Sequence, residues 1–183
     1  MFTIGCDPEF FLKRGTSFVS AIDKVGGSKD EPRPIGAGCA VQEDNVAVEF
    51  CIPPAESCDK FYNSIMYSLD EIMKQVPGLE FSHAASAEFD DTELDHPRAL
   101  EFGCEPDYNA WTKRKNPRPY CANHKLRSAG GHVHVGVKGV DRYQLIRAMD
   151  LFLGVPSVLM DEDTRRRELY GKAGAFRPKP YGV

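Results

Sequence analysis

Asp7 and Glu9 stand two apart in the segment GCDPEFF, His132 and His134 stand two apart in GGHVHVG, and Glu49 closes the run VAVE. On a strand, side chains two apart leave the same face. Extended backbone would therefore point Asp7 with Glu9 and His132 with His134. It would turn Glu49 to the side of Ala47 and Cys51, away from Val46 and Val48. Carboxylates on a face that is otherwise apolar or small need a partner, because an unpaired buried charge is strongly destabilising. A divalent ion can serve all of them, and three hard oxygen ligands with an imidazole suit Mg2+ or Mn2+. Each motif has a plain alternative: a solvated Asp7-Pro8-Glu9 turn, a Glu49–arginine pair, a half-buried histidine pair. The co-occurrence of three strand-like motifs favours the metal.

Basic residues gather in two places. Residues 112–127 hold Lys113, Arg114, Lys115, Arg118, Lys125 and Arg127 with no acid among them. Residues 165–179 interleave Arg166, Arg167, Lys172 and Arg177 with Gly171 and Gly174. Solvated basic faces account for most single lysines. In the second stretch, however, glycine allows close backbone approach and the arginine fork binds phosphate bidentately. A cationic loop and a divalent ion are the two parts that grip ATP for γ-phosphoryl transfer. No Walker A pattern, dinucleotide-binding GxGxxG or nucleophile elbow GxSxG occurs. ATP would thus be held by a metal-and-arginine scheme.

The elements that must position these residues follow from periodicity and punctuation. Residues 1–12 read as a strand, with Phe18–Ala21 its hairpin partner. Residues 24–38, rich in Gly, Pro and charge, read as a surface loop. Residues 39–42 and 46–50 form a hairpin around an Asp-Asn corner. Residues 57–75 space Phe61, Ile65, Met66, Leu69, Ile72 and Met73 as an amphipathic helix that Pro77-Gly78 ends. Residues 79–87 and 131–137 read as strands, 91–128 as largely irregular. Helices are expected over 141–153, capped by Asp141, and over 157–169. The whole is α+β, with a largely antiparallel sheet and helices on one face.

With 183 residues the chain is long enough for one domain with a core of its own. Lys+Arg is 23 and Asp+Glu is 27, a net charge of −4, which disfavours non-specific nucleic-acid binding. The N-terminus lacks a basic region followed by an apolar run, so no export signal is read. The longest apolar stretch, Leu151 to Met160, is broken by Gly154 and Pro156 and is about half a membrane span. A soluble, cytoplasmic protein is expected. The six cysteines show no CxxC or zinc-finger spacing, so reduced thiols are expected. Cys104, in the polar FGCEPD segment, is the one to examine for a role.

In order along the chain, GCDPEFF (5–11), EDNVAVEF (43–50), FGCEPDYNAW (102–111), AGGHVHVG (129–136) and RRELYGKAGAFRPKPYGV (166–183) resemble the phage-type COOH–NH2 ligase family, type 2. These amidoligases have a catalytic domain similar to that of glutamine synthetase and glutamate–cysteine ligase. The resemblance implies a single catalytic domain over 1–183, whose antiparallel sheet holds metal-bound ATP on its concave face. It implies formation of an amide from a carboxylate and an amine through an acyl phosphate, with ATP and Mg2+ (or Mn2+). The substrates would be small-molecule or peptide carboxylates and amines, in the host cytoplasm if the gene is a phage's.

Carried over by position, the resemblance makes Asp7, Glu9, Glu49 and His132 metal ligands. His132, His134, Lys172 and Arg177 become nucleotide-phosphate contacts, with either histidine able to serve. Arg166, Arg167 and Arg177 become the phosphate- and substrate-binding arginines of catalysis, and Asp107, Asn109 and Arg127 substrate contacts. The family pattern continues past Tyr181-Gly182-Val183 with an acid, an aromatic residue and an arginine. The chain ends at Val183, so one metal ligand of the family would lie beyond it. Two other readings stand beside the ligase: a non-catalytic nucleotide- or protein-binding module of the same fold, and a metal-dependent hydrolase built on the HxH and the carboxylates.

Overall fold

The computed structural model describes residues 2–100 and 107–183. Cys104, with the first half of FGCEPDYNAW, lies outside the described residues. The described residues divide into two compact units, one formed by 3–100 and 123–134, the other by Phe2, 107–122 and 135–183.

The first unit is built on antiparallel strands. β1 (Thr3–Cys6) and β2 (Glu9–Arg14) come from the expected N-terminal strand, split at Asp7-Pro8. Proline has no N–H to give a ladder, so the chain breaks there, while the Pro8 carbonyl still accepts from Phe50 N–H at 3.3 Å. β3 (Ser17–Val19) folds back on β2 as expected. β4 (Arg33–Gly36) arises inside the expected loop and pairs with β5 (Cys39–Asp44), its register shifting between Pro34 and Gly36. A strand that carries proline must lie at a sheet edge, and β4 is the last strand in the order β3-β2-β6-β5-β4. β6 (Ala47–Cys51) completes the hairpin with β5 around Asn45, which takes φ +55°.

α1 (Cys58–Met73) starts where Ser57 Oγ accepts the Lys60 N–H. β7 (Glu80–Ser82) returns to β2, β8 (Ser86–Glu88) follows, and α2 (Asp91–Leu94) with a 3-10 turn at Pro97–Leu100 leads away. Later in the chain, after β9 (Tyr108–Asn109) and β10 (Arg114–Lys115) of the second unit, β11 (Leu126–Ser128) pairs with β8.

Strand alternation sorts the first unit's interior into two cores. Leu12, Val41, Val48 and Phe50 pack under α1 through Ile72, joined by Phe61, Ile65 and Leu69. On the opposite side Phe11 and Ala47 meet Ile22, Ala87, Phe89 and Leu94. Each fully buried side chain of this kind contributes roughly 2 kcal/mol relative to exposure. The helix therefore covers one face, and the other is left to Phe11 and its neighbours at one end and to polar residues beyond them.

In the second unit, β9 lies between β10 and β13 (Ala175–Phe176), antiparallel to both. β12 (Val133–Gly136) runs into this unit, where α3 (Arg142–Met149) begins with Asp141 Oδ1 accepting the Gln144 N–H at 3.0 Å. Ala110, Ile146, Phe176 and Val183 form the core. Gly174, at φ +70°, is required there, since a Cβ would stand 2.6 Å from Trp111 Cδ1.

Two helix boundaries differ from expectation. The chain does not stop before Gly154: a π turn at Asp150–Gly154 carries α3 into α4 (Val155–Met160). Pro156 sits in the first turn of α4, where a missing N–H costs least, and the π turn shifts the bonding frame around it. The expected helix over 157–169 is cut at Asp161–Asp163. Asp163 Oδ1 accepts the N–H groups of Arg165 and Arg166 and so caps a new helix, α5 (Thr164–Leu169). Antiparallel sheets with few helices make the chain α+β. Among the described residues no helix is long and apolar enough to cross a membrane.

Candidate functional site

The polar residues of the sheet face opposite α1 stand in register. Glu9 on β2 is the direct Cα partner of Glu49 on β6, and Glu49 is the partner of Gln42 on β5. Asp44 lies two residues beyond Gln42 on the same face, paired with Ala47. Carboxylate oxygens of Glu9, Asp44 and Glu49 lie within 4.8 Å of one another. The environment acts on Glu49 most. Burial, then the charges of Asp44, Asp7 and Glu9, push its carboxyl up to about 8, against the opposing Gln42 amide, which donates to Glu49 Oε2. Three carboxylates crowded this way repel when all are ionised. A cation reverses that balance, and an all-oxygen donor set suits Mg2+, Mn2+ or Ca2+. The donor set fits a divalent ion held by Glu9, Asp44 and Glu49.

Asp7 has a different neighbourhood. Its Oδ1 lies 3.0 Å from His132 Nδ1 and its Oδ2 3.0 Å from His134 Nε2, and Oδ1 also accepts the His132 N–H at 2.7 Å. Burial alone would raise this carboxyl, but the two histidines and the backbone N–H outweigh it and hold it well below the usual carboxylate range. The imidazoles are thus fixed by an acid, the usual arrangement for orienting a histidine and setting its tautomer.

The glycines of GGHVHVG explain how the two motifs meet. Glu9 N–H donates to the Gly130 carbonyl at 2.9 Å, and Gly130 N–H donates to Glu9 Oε2 at 2.8 Å. Asp7 N–H donates to the His132 carbonyl at 3.3 Å. Gly131, at φ +150°, passes so close that a Cβ would stand 2.8 Å from Pro8 Cα. Backbone and carboxylates of DPE are therefore laced to residues 130–132.

The other sequence candidates fall into place as follows. Arg127 is buried in the first unit, its guanidinium donating to Asn45 Oδ1 at 3.0 Å and to the carbonyls of His124, Leu126 and Ala99. Asn45 in turn donates to the Arg98 and Ala99 carbonyls, so Arg127 braces the β5–β6 corner. Asp107 and Asn109 belong to the second unit. The Asp107 carbonyl accepts the Asn116 N–H, while Asn109 Oδ1 accepts the N–H groups of Trp111 and Thr112 and its amide donates to the Ala173 carbonyl. The second unit also carries Arg166, Arg167, Lys172 and Arg177. Arg166 lies over the Tyr170 ring, 6.0 Å from its centroid, Arg167 is 3.8 Å from Asp161, and Lys172 is exposed.

Within one unit, then, the structure brings together Asp7, Glu9, Glu49, His132 and His134, and it adds Asp44 and Gln42. Asp44 was legible in principle: a two-residue corner at Asn45-Val46 pairs it with Ala47 and so puts it on the face of Glu49. Its neighbour Glu43 points the other way. Glu43 accepts the N–H groups of Lys24, Val25 and Gly26 and a bond from Arg98, and serves the loop before β4.

Residues 122–183 match the model of the family described as phage phiEco32-like COOH.NH2 ligase-type 2. The match covers GGHVHVG and the arginine-rich end, and it supports the family resemblance read from the five motifs. No curated protein matches the chain.

Proposed function

We propose that the chain, which carries over residues 122–183 the signature of a COOH–NH2 ligase, joins a carboxylate to an amine at the expense of ATP. The observation that carries this reading is the cluster of Glu9, Asp44 and Glu49, a hard-oxygen donor set beside an acid-fixed histidine pair. Glu9, Asp44 and Glu49 would hold a Mg2+ ion, which supplies neutralisation of phosphate charge when bound.

The chemistry needs activation, because a carboxylate is a poor electrophile. A substrate carboxylate oxygen attacks the γ-phosphorus of ATP, the bond to the β-phosphate oxygen breaks, and an acyl phosphate and ADP result. The amine nitrogen then attacks the acyl carbon, the C–O bond to phosphate breaks, and the nitrogen loses a proton to leave the amide and inorganic phosphate. Asp7 would keep the His132 and His134 rings oriented toward the reacting charges. By family resemblance Arg166, Arg167, Lys172 and Arg177 would neutralise phosphate. The glutamine synthetase-like form of the sheet belongs to the same proposal.

The test is release of ADP and phosphate from Mg-ATP across a panel of amino-acid and peptide carboxylates and amines, with the amide identified by mass. Release that requires both substrates supports the ligase. Binding of Mg-ATP with no turnover on any pair favours a nucleotide-binding module. Ester hydrolysis without ATP favours a hydrolase.

A further inference from the structure

The helix that crosses the π turn leaves its own core halfway along. Over Arg142–Met149 it packs through Ile146, Tyr143, Leu145 and Met149. Over 150–160 no residue is buried. Leu151, Phe152, Leu153, Val155, Val158, Leu159 and Met160 are all more than half exposed, with Phe152 at 78%, Leu159 at 86% and Met160 at 84%. These seven side chains cover more than half of the helix circumference, leaving Asp150, Gly154 and Ser157 on the rest, a stripe far wider than an ordinary solvent-facing helix carries. At roughly 200 Å2 for a large apolar residue they expose on the order of 900 Å2. The largest apolar patch on an ordinary monomer is about 300–600 Å2, and one side of a standard interface is about 800 Å2.

We infer that residues 150–160 are an interface between two copies of this chain, paired antiparallel about a two-fold axis. The area matches what one side of a stable dimer needs. The charges at the two ends of the same helix complement each other in that pairing. Asp161, Glu162 and Asp163 follow the patch, and Arg142 and Arg147 precede it. Antiparallel packing centred on Val155 sets Arg147 of one copy against the Asp161–Asp163 turn of the second, twice by symmetry. It also opposes the two helix dipoles. An anionic lipid surface fits less well, since Asp150, Asp161, Glu162 and Asp163 stand nearest the patch, and Arg165 and Arg167 behind them are paired with Asp163 and Asp161.

The experiment is light scattering on the size-fractionated chain at about 10–100 μM, where a standard interface of micromolar affinity is populated. Wild type is expected at twice the monomer mass. Phe152→Asp and Leu159→Asp should each weaken association by at least about a hundredfold, with unchanged far-ultraviolet circular dichroism. Tyr62→Asp, at an exposed position of α1, should leave the dimer intact. A wild-type monomer throughout this range overturns the inference. So does a dimer indifferent to Phe152→Asp with Leu159→Asp, or one lost equally with Tyr62→Asp. Flotation of a monomeric wild type with phosphatidylglycerol vesicles would assign the patch to lipid and overturn it as well.

Discussion

Glu9 and Glu49, forty residues apart, face each other as direct partners across adjacent antiparallel strands. Like charges directly opposite on a sheet are destabilising, and Asp44 adds a third carboxylate to the pair. The arrangement weakens the sheet when all three are ionised, and a bound cation would offset that repulsion.

Glu49→Gln should separate the two sides of that balance. The amide keeps the shape and removes one charge. We expect the metal-free protein to melt at a higher temperature than wild type above pH 8. We expect its affinity for Mn2+ to fall at least about tenfold, since a charged ligand is lost. Calorimetric titration with Mn2+ measures the second effect, and equal affinities would remove Glu49 from the ligand set.

The same residue sets a pH dependence. Folding raises the Glu49 carboxyl from its ordinary value of 4.5 to about 8, so between these values the folded chain binds more protons than the unfolded chain. The contribution of Glu49 to stability therefore falls as pH rises through this window, and it levels off above about 8. Denaturant titrations of wild type and Glu49→Gln at pH 5 and pH 9 read the difference. Saturating Mg2+ should flatten it, because the ion replaces the proton.

Gly131→Ala should loosen the joint between the two motifs. The new Cβ meets backbone at Pro8 and the residue must keep φ +150°, which costs about 1–3 kcal/mol. Thermal melting reads the loss. Amide exchange at Gly130 and His132 should accelerate, since their N–H groups donate to Glu9 and Asp7. Unchanged protection there would mean that the lacing is not what fixes the histidines.

Arg127→Ala is expected to act through stability. It strips bonding partners from Asn45 and from the carbonyls of His124, Leu126 and Ala99 in a buried setting. The cost is on the order of 3 kcal/mol, from the loss of these charge-assisted bonds and of the space the buried guanidinium fills. A melting temperature equal to wild type would show that the β5–β6 corner does not depend on this arginine.

Much of the site was legible because alternation on a strand is a strict rule. Ala47, Glu49 and Cys51 against Val48 and Phe50 could be read from VAVEFC, and the Asn45 corner followed from EDN. Alternation does not say which of two adjacent acids a corner will send outward, so Glu43 and Asp44 looked alike. Their separation depends on the β5–β6 register and on the N–H groups of residues 24–26, a loop whose closing strand, β4, was hidden by Pro34 within it and Pro32 just before it. Arg127 sat in a stretch read as a basic surface. Nothing local marks it as buried, because its partners, Asn45 and Ala99, are 82 and 28 residues away. The helix through 150–160 was read as two helices because Gly154 and Pro156 are ordinary stop signals, and a π turn leaves no composition of its own.

The bond from Gly130 N–H to Glu9 spans 121 positions of the chain, and that from His132 to Asp7 spans 125. A ribosome emits the amino end in order, so DPE and the β5–β6 hairpin emerge long before their glycine-rich partner. A nascent chain arrested before residue 130 would present Glu9, Asp44 and Glu49 without the strand that steadies them, and long-range closures of this kind form late. Tight ion capture would then wait until residues 130–132 have been made, more than a hundred positions after Asp7 and Glu9.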